Sequence, residues 1–117
     1  MMAMSNTPTT PASALPRWPS RFWAQASAHD FALAQSTGLA ADTVAVLPVA
    51  AVEQHGPHLP LSVDASLIEG VIDAALAQLP AELPVLFLPP QNIGFSVEHT
   101  NYAGTLSLQP ATLIALL

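Results

Sequence analysis

Two short apolar runs bracket a single stretch of helical periodicity, and this alternation does most to limit what the chain can become. Val44 to Ala50 is rich in valine, and Val85 to Leu88 is stopped by Pro89 and Pro90. Such runs read as strands buried on both faces, as in a parallel sheet. Pro48 donates no ladder hydrogen bond, so it suits the end of a strand better than its middle. Between the runs, Ile68, Val71, Ile72, Ala75, Leu76 and Leu79 recur at helical spacing until Pro80 closes the segment. The spacing predicts a helix over 65–79 whose face at Ile68, Val71, Ile72 and Leu76 covers the strands. Strand, loop, helix and strand make a βαβ unit with a right-handed crossover. The fold class is therefore α/β with a mainly parallel sheet.

The flanks carry local punctuation. Ser27 followed by Asp30 has the form of a capping box, opening a helix that carries Phe31 and Leu33 and stops near Gly38. The stretch 91–105 is irregular, and Pro110 opens another helix at its favoured first position. Residues 1–21 set Pro8, Pro11, Pro16 and Pro19 among serine, threonine and alanine. They read as a flexible leader rather than a secretory signal, leaving 22–117 as the domain. Trp18, Trp23 and Tyr102 read as packing residues. The last residues, Thr112 to Leu117, begin an apolar helix with no stop signal, so the chain reads as truncated and its domain as incomplete.

Composition narrows the partners. Charged residues make up 9% of the chain, against about 25% in ordinary soluble domains. So little charge on so small a domain predicts apolar faces that meet more of the same chain or another subunit. Eight acids against two arginines, with no lysine, exclude nucleic acid and anionic membrane surfaces as partners. No segment has the roughly 20 apolar residues needed to span a bilayer. The absence of cysteine fits a cytoplasmic location.

Chemistry concentrates after the first strand. In a parallel α/β sheet, ligands collect beyond the carboxyl ends of the strands. The loop leaving Val44–Ala50 carries Glu53 and His55, which point to the same side if extended. Asp64 follows directly before the predicted helix, where it serves as N-cap, as metal ligand, or as both through its two oxygens. One imidazole and two carboxylates form a donor set for zinc, manganese or iron. In so charge-poor a chain, a divalent cation is the natural compensation for these carboxylates. The loop leaving Val85–Leu88 brings Ser96, Glu98 and His99 to the same edge; a solvated loop pair is the plainer role for the last two. His58 is either a loop-stabilising residue or a metal contact.

The strings Glu-Gln-His-Gly-Pro-His-Leu-Pro-Leu-Ser-Val-Asp (53–64) and Ser-Val-Glu-His-Thr-Asn-Tyr-Ala-Gly-Thr-Leu-Ser-Leu (96–108) resemble the creatininase (creatinine amidohydrolase) family. The resemblance runs from about Trp23 to the last residue. It implies a creatininase-like three-layer fold, of which this chain is the N-terminal βαβ portion. It also implies two divalent ions, zinc or manganese with iron as a further option. Glu53 would bind one ion, His55 the other and Asp64 both. Ser96 takes the position of a substrate-contacting serine, with Glu98 and His99 on the substrate side. The implied reaction is hydrolysis of a small cyclic amide or formamide, or in one branch a peptide, by a metal-bound hydroxide in a homo-oligomer.

Ala50 stands where the family usually has glycine, and Ala103 where it has proline. Ala50 would shift the loop if that position needs φ > 0. A further histidine and acid, from an Asn-Gly-His-like turn, have no counterpart here, nor do the family's general acid/base groups. The 117 residues alone are thus expected to be inactive. The rival reading is a non-catalytic fragment that binds metal or pairs with other subunits.

Overall fold

A computed structural model describes residues 16–117. The two apolar runs pair in parallel as β1 (Val44–Val46) and β2 (Val85–Phe87), with Val44 beside Val85 and Val46 beside Phe87. The first strand is shorter than the expected Val44–Ala50. Pro48 breaks the regular ladder, and the pairing goes on as single contacts. The Gln91 amide donates to the Pro48 carbonyl at 2.9 Å, and the Ala50 amide to the Gln91 carbonyl at 3.0 Å.

Burial separates the strands. Phe22 bridges Phe87 in parallel, and the Phe87 amide donates to the Arg21 carbonyl at 2.7 Å. β2 is therefore flanked on both sides; all three residues are buried, and Leu86 is 0% exposed. The expectation of two-sided burial fails for β1, where Val44 is 55% exposed. Only β2 has backbone against both of its edges among the described residues.

The crossover helix α3 runs Val63–Leu76, with Ser62 at its N-cap. It starts two residues earlier than predicted, so Asp64 lies in the first turn and is not the cap. A carboxylate there still gains from the positive end of the helix dipole. Ile68, Ile72 and Leu76 are half-buried along one stripe, whereas Val71 falls outside it and is exposed, contrary to the predicted covering face.

Local punctuation was read correctly at α1 (Ala28–Thr37). The Ser27 hydroxyl accepts from the Asp30 amide at 3.2 Å, and the Ser27 amide donates to the Asp30 carboxylate at 2.7 Å. The bond from the Ser27 hydroxyl, then that from its amide, hold the Asp30 carboxyl below its ordinary 3.8. Gly38 ends the helix at φ 84, followed by the short α2 (Leu39–Asp42). Pro110 occupies the first turn of α4 (Pro110–Leu116).

Residues 1–15 of the expected leader lie outside the described residues. Residues 18–21 are docked. The Trp18 indole donates to the Thr43 hydroxyl at 2.8 Å, and the Arg21 guanidinium to the carbonyls of Leu83 and Pro80. Trp18 and Trp23 both pack on Phe31, at 4.9 and 4.6 Å between ring centres. Among the described residues no helix is long and apolar enough to cross a membrane.

Candidate metal centre

The loops after β1 and β2 are stitched to each other. Val52 and Leu106 form an antiparallel bridge, with the Leu106 amide donating to the Val52 carbonyl at 2.8 Å. The Gln54 amide donates to the Thr105 hydroxyl at 3.2 Å. Within the second loop, the Ser96 amide donates to the Ser107 hydroxyl at 2.9 Å. A Cβ on Gly94 would stand 3.1 Å from the Ala50 carbonyl oxygen, so the backbones meet where only glycine sits without a shift. Ala50 itself needs no positive φ, since among the described residues only glycines have one. Its methyl is therefore accommodated without backbone strain.

Gly104 closes the second loop against the first. Its φ is 91, and a Cβ there would meet Leu61 Cδ1 at 2.7 Å. In Gly104→Ala the Leu61 methyl, the far end of a side chain, can turn aside, but the left-handed backbone remains, so a loss of about 1–2 kcal/mol is expected in urea unfolding. Unchanged stability would mean that residue 104 is not held in this conformation.

The structure brings Glu53, His55 and Asp64 together. One donor atom from each lies within 4.8 Å of the others, and all three residues are half-buried. His55 Nε2 stands 3.3 Å from Asp64 Oδ1. Two donors set tetrahedrally on one zinc, each at about 2.0–2.2 Å, are about 3.3–3.6 Å apart. His55 Nδ1 lies 3.0 Å from the Glu53 backbone carbonyl, which can only accept, so Nδ1 carries the hydrogen. In the neutral ring the Nε2 lone pair then faces the Asp64 carboxylate. That repulsion is relieved by a shared cation, and a backbone carbonyl orienting the far nitrogen is the usual support of a ligating histidine. The donor set fits a divalent ion.

The second loop does more than the sequence suggested. Glu98 and His99, on the 3-10 turn Val97–His99, converge with Glu53 within the same 4.8 Å. His99 Nε2 stands 3.9 Å from Glu53 Oε1. No spacing along the chain announces this meeting, because it depends on how Thr105 and Leu106 return to the first loop. Ser96 is 1% exposed, and its hydroxyl has no hydrogen-bond partner. His58 is exposed and stands outside both groups. Tyr102, expected to pack, is exposed, with its ring 6.2 Å from that of His99.

Similarity to known proteins places the chain in a family. Residues 29–117 match the family model described as Creatininase, Creatinine amidohydrolase. Two curated relatives carry the name mycofactocin precursor peptide peptidase. The protein from Mycolicibacterium smegmatis is 39% identical over 74 residues, covering 62% of this chain and 30% of its own length. That from Mycobacterium tuberculosis is 41% identical over 78 residues, covering 62% and 31%. The chain thus spans about a third of the length of these relatives. Among solved structures, a tryptophan-to-alanine mutant creatininase superposes with TM-score 0.64 at 28% identity, over 83% of this chain and 37% of that one. With the matched model covering most of the chain, and a structural neighbour bearing the same name, the chain belongs to the creatininase family.

Proposed function

We propose that the protein carrying this chain hydrolyses an amide bond with a divalent metal centre built on Glu53, His55 and Asp64, and that the amide is a peptide bond. The observation that carries the metal reading is the His55 ring, held through Nδ1 by the Glu53 carbonyl so that Nε2 turns its lone pair to Asp64. The peptide is favoured over a small cyclic amide because relatives at 39% and 41% identity are named peptide peptidases, whereas the creatininase structure stands at 28%.

A bound divalent ion supplies an acidified water and an electrophile for the carbonyl oxygen. The chain's own residues do the rest. Glu53 and Asp64 neutralise the ion's charge, and His55 enters with its ring already oriented. Zinc, manganese or iron, as one ion or two, would be held by Glu53, His55 and Asp64. Ser96 is the substrate-side serine of this reading; its enclosed hydroxyl has no partner among the described residues, and it would meet the substrate amide only if the loop moved to uncover it. Glu98, exposed at the rim, faces the same side.

A chimera tests the substrate class. Residues 29–117 would replace the matching segment of the Mycobacterium tuberculosis peptidase, and the product would be assayed on that enzyme's peptide and on creatinine. Cleavage of the peptide alone, lost in His55→Ala, is expected. A folded chimera that hydrolyses creatinine and leaves the peptide intact would overturn the peptide assignment.

A further inference from the structure

The two histidines that face carboxylates in this site differ in what holds their far nitrogen. His55 Nδ1 has the Glu53 carbonyl at 3.0 Å. His99 Nδ1 is buried and has no hydrogen-bond partner among the described residues. Burying an unpaired N–H is costly and rare, and an unpaired acceptor is the more tolerable of the two. The neutral His99 ring therefore keeps Nδ1 bare and places its hydrogen on Nε2. Glu53 Oε1 lies 3.9 Å from that nitrogen, beyond a hydrogen bond as it stands, and a carboxylate can only accept.

We infer that His99 is a positioning residue for Glu53: its Nε2–H, brought up from the second loop, fixes the Glu53 carboxylate for the ion and does not itself ligate. The inference rests on the metal centre proposed above and assigns that centre an outer partner. Glu53 offers two oxygens, so one can meet an ion while the other accepts from His99. Closing the 3.9 Å gap by somewhat under an ångström gives an ordinary N–H···O bond of about 2.9–3.0 Å. The rival assignment is a second ion held by Glu53, Glu98 and His99, whose donor atoms also lie within 4.8 Å. Ligation through Nε2, the nitrogen that faces Glu53, requires the opposite hydrogen placement on His99, with the Nδ1–H buried and unpaired.

Two measurements decide the matter. The first uses the metal-free 117-residue chain, at a pH where both rings are neutral. Long-range 1H–15N correlation should show the hydrogen on Nε2 of His99 and on Nδ1 of His55. A hydrogen on Nδ1 of His99 would overturn the inference without reference to any ion.

The second compares zinc affinity in the parent chain, His99→Ala and His99→Gln, with thermal melts to check folding. Loss of an outer partner costs about 10–100-fold in affinity, and His99→Ala should lose that much. Glutamine places an amide N–H close to where Nε2 stood, so His99→Gln should restore most of the loss. Equal loss in both variants, with a cobalt absorption spectrum that shifts as a donor leaves, would make His99 a ligand and defeat the inference. A parent chain that takes up no zinc would instead refute the metal centre, leaving the ring assignment to the correlation experiment.

Discussion

Titration of the chain with zinc should reveal a site that His55→Ala weakens by at least about 100-fold, beyond the about 10–100-fold that loss of an outer partner costs. The expectation follows from the position of Nε2, 3.3 Å from Asp64, on a ring whose Nδ1 is held by the Glu53 carbonyl. Removing the imidazole leaves two carboxylates, a set that favours harder ions and loses its preference for zinc. Manganese binding should therefore suffer less than zinc binding in the same variant. Isothermal titration with each metal makes the comparison. Equal, small losses for both would mean that the ion is held elsewhere and that the convergence of these tips is incidental.

The largest effect on stability is expected in β2. Leu86 is wholly enclosed, between residues of β1 on one side and the Arg21–Phe22 segment on the other. Leu86→Ala should cost about 2–5 kcal/mol, because the lost methyl groups leave a cavity that such a strand cannot collapse to fill. In a domain of about this size that is a fall of at least about 10 °C in melting midpoint. Ile114, at 75% exposure, supplies the contrast. Ile114→Ala should stay within about 0.5 kcal/mol of the parent. A Leu86 variant as stable as the Ile114 one would place the core elsewhere.

What the sequence reveals here is what is decided locally. The capping box needs only Ser27 and Asp30, and both of its bonds form. Gly38 and Pro110 likewise act on their immediate neighbours. The parallel pairing of the two apolar runs was legible because a helix-length crossover leaves little alternative. The failures share a cause. Periodicity puts the α3 start to within a turn but does not separate Ser62 from Asp64, so the cap was misplaced. The burial of β1 was overestimated because a run of valines reports preference for an apolar surrounding and says nothing of what supplies it. At the site, Glu53, His55 and Asp64 were recognisable from donor chemistry and from the family strings. The approach of Glu98 and His99 to Glu53 was not, since it is fixed by bonds between distant segments.

Those bonds govern when the site comes into being. Gln54 and Thr105 are separated by 51 positions, yet one hydrogen bond joins them and an antiparallel bridge lies beside it. Closing so long a segment has an entropic cost that is met before any local contact at the loop is gained. Glu53, His55 and Asp64 are near neighbours in sequence, but the loop that aims them is braced only once Thr105 and Leu106 have returned to it. During synthesis the three side chains leave the ribosome well before their brace. The centre proposed on these side chains would thus be aimed only once residue 106 has emerged and its bridge to Val52 has closed.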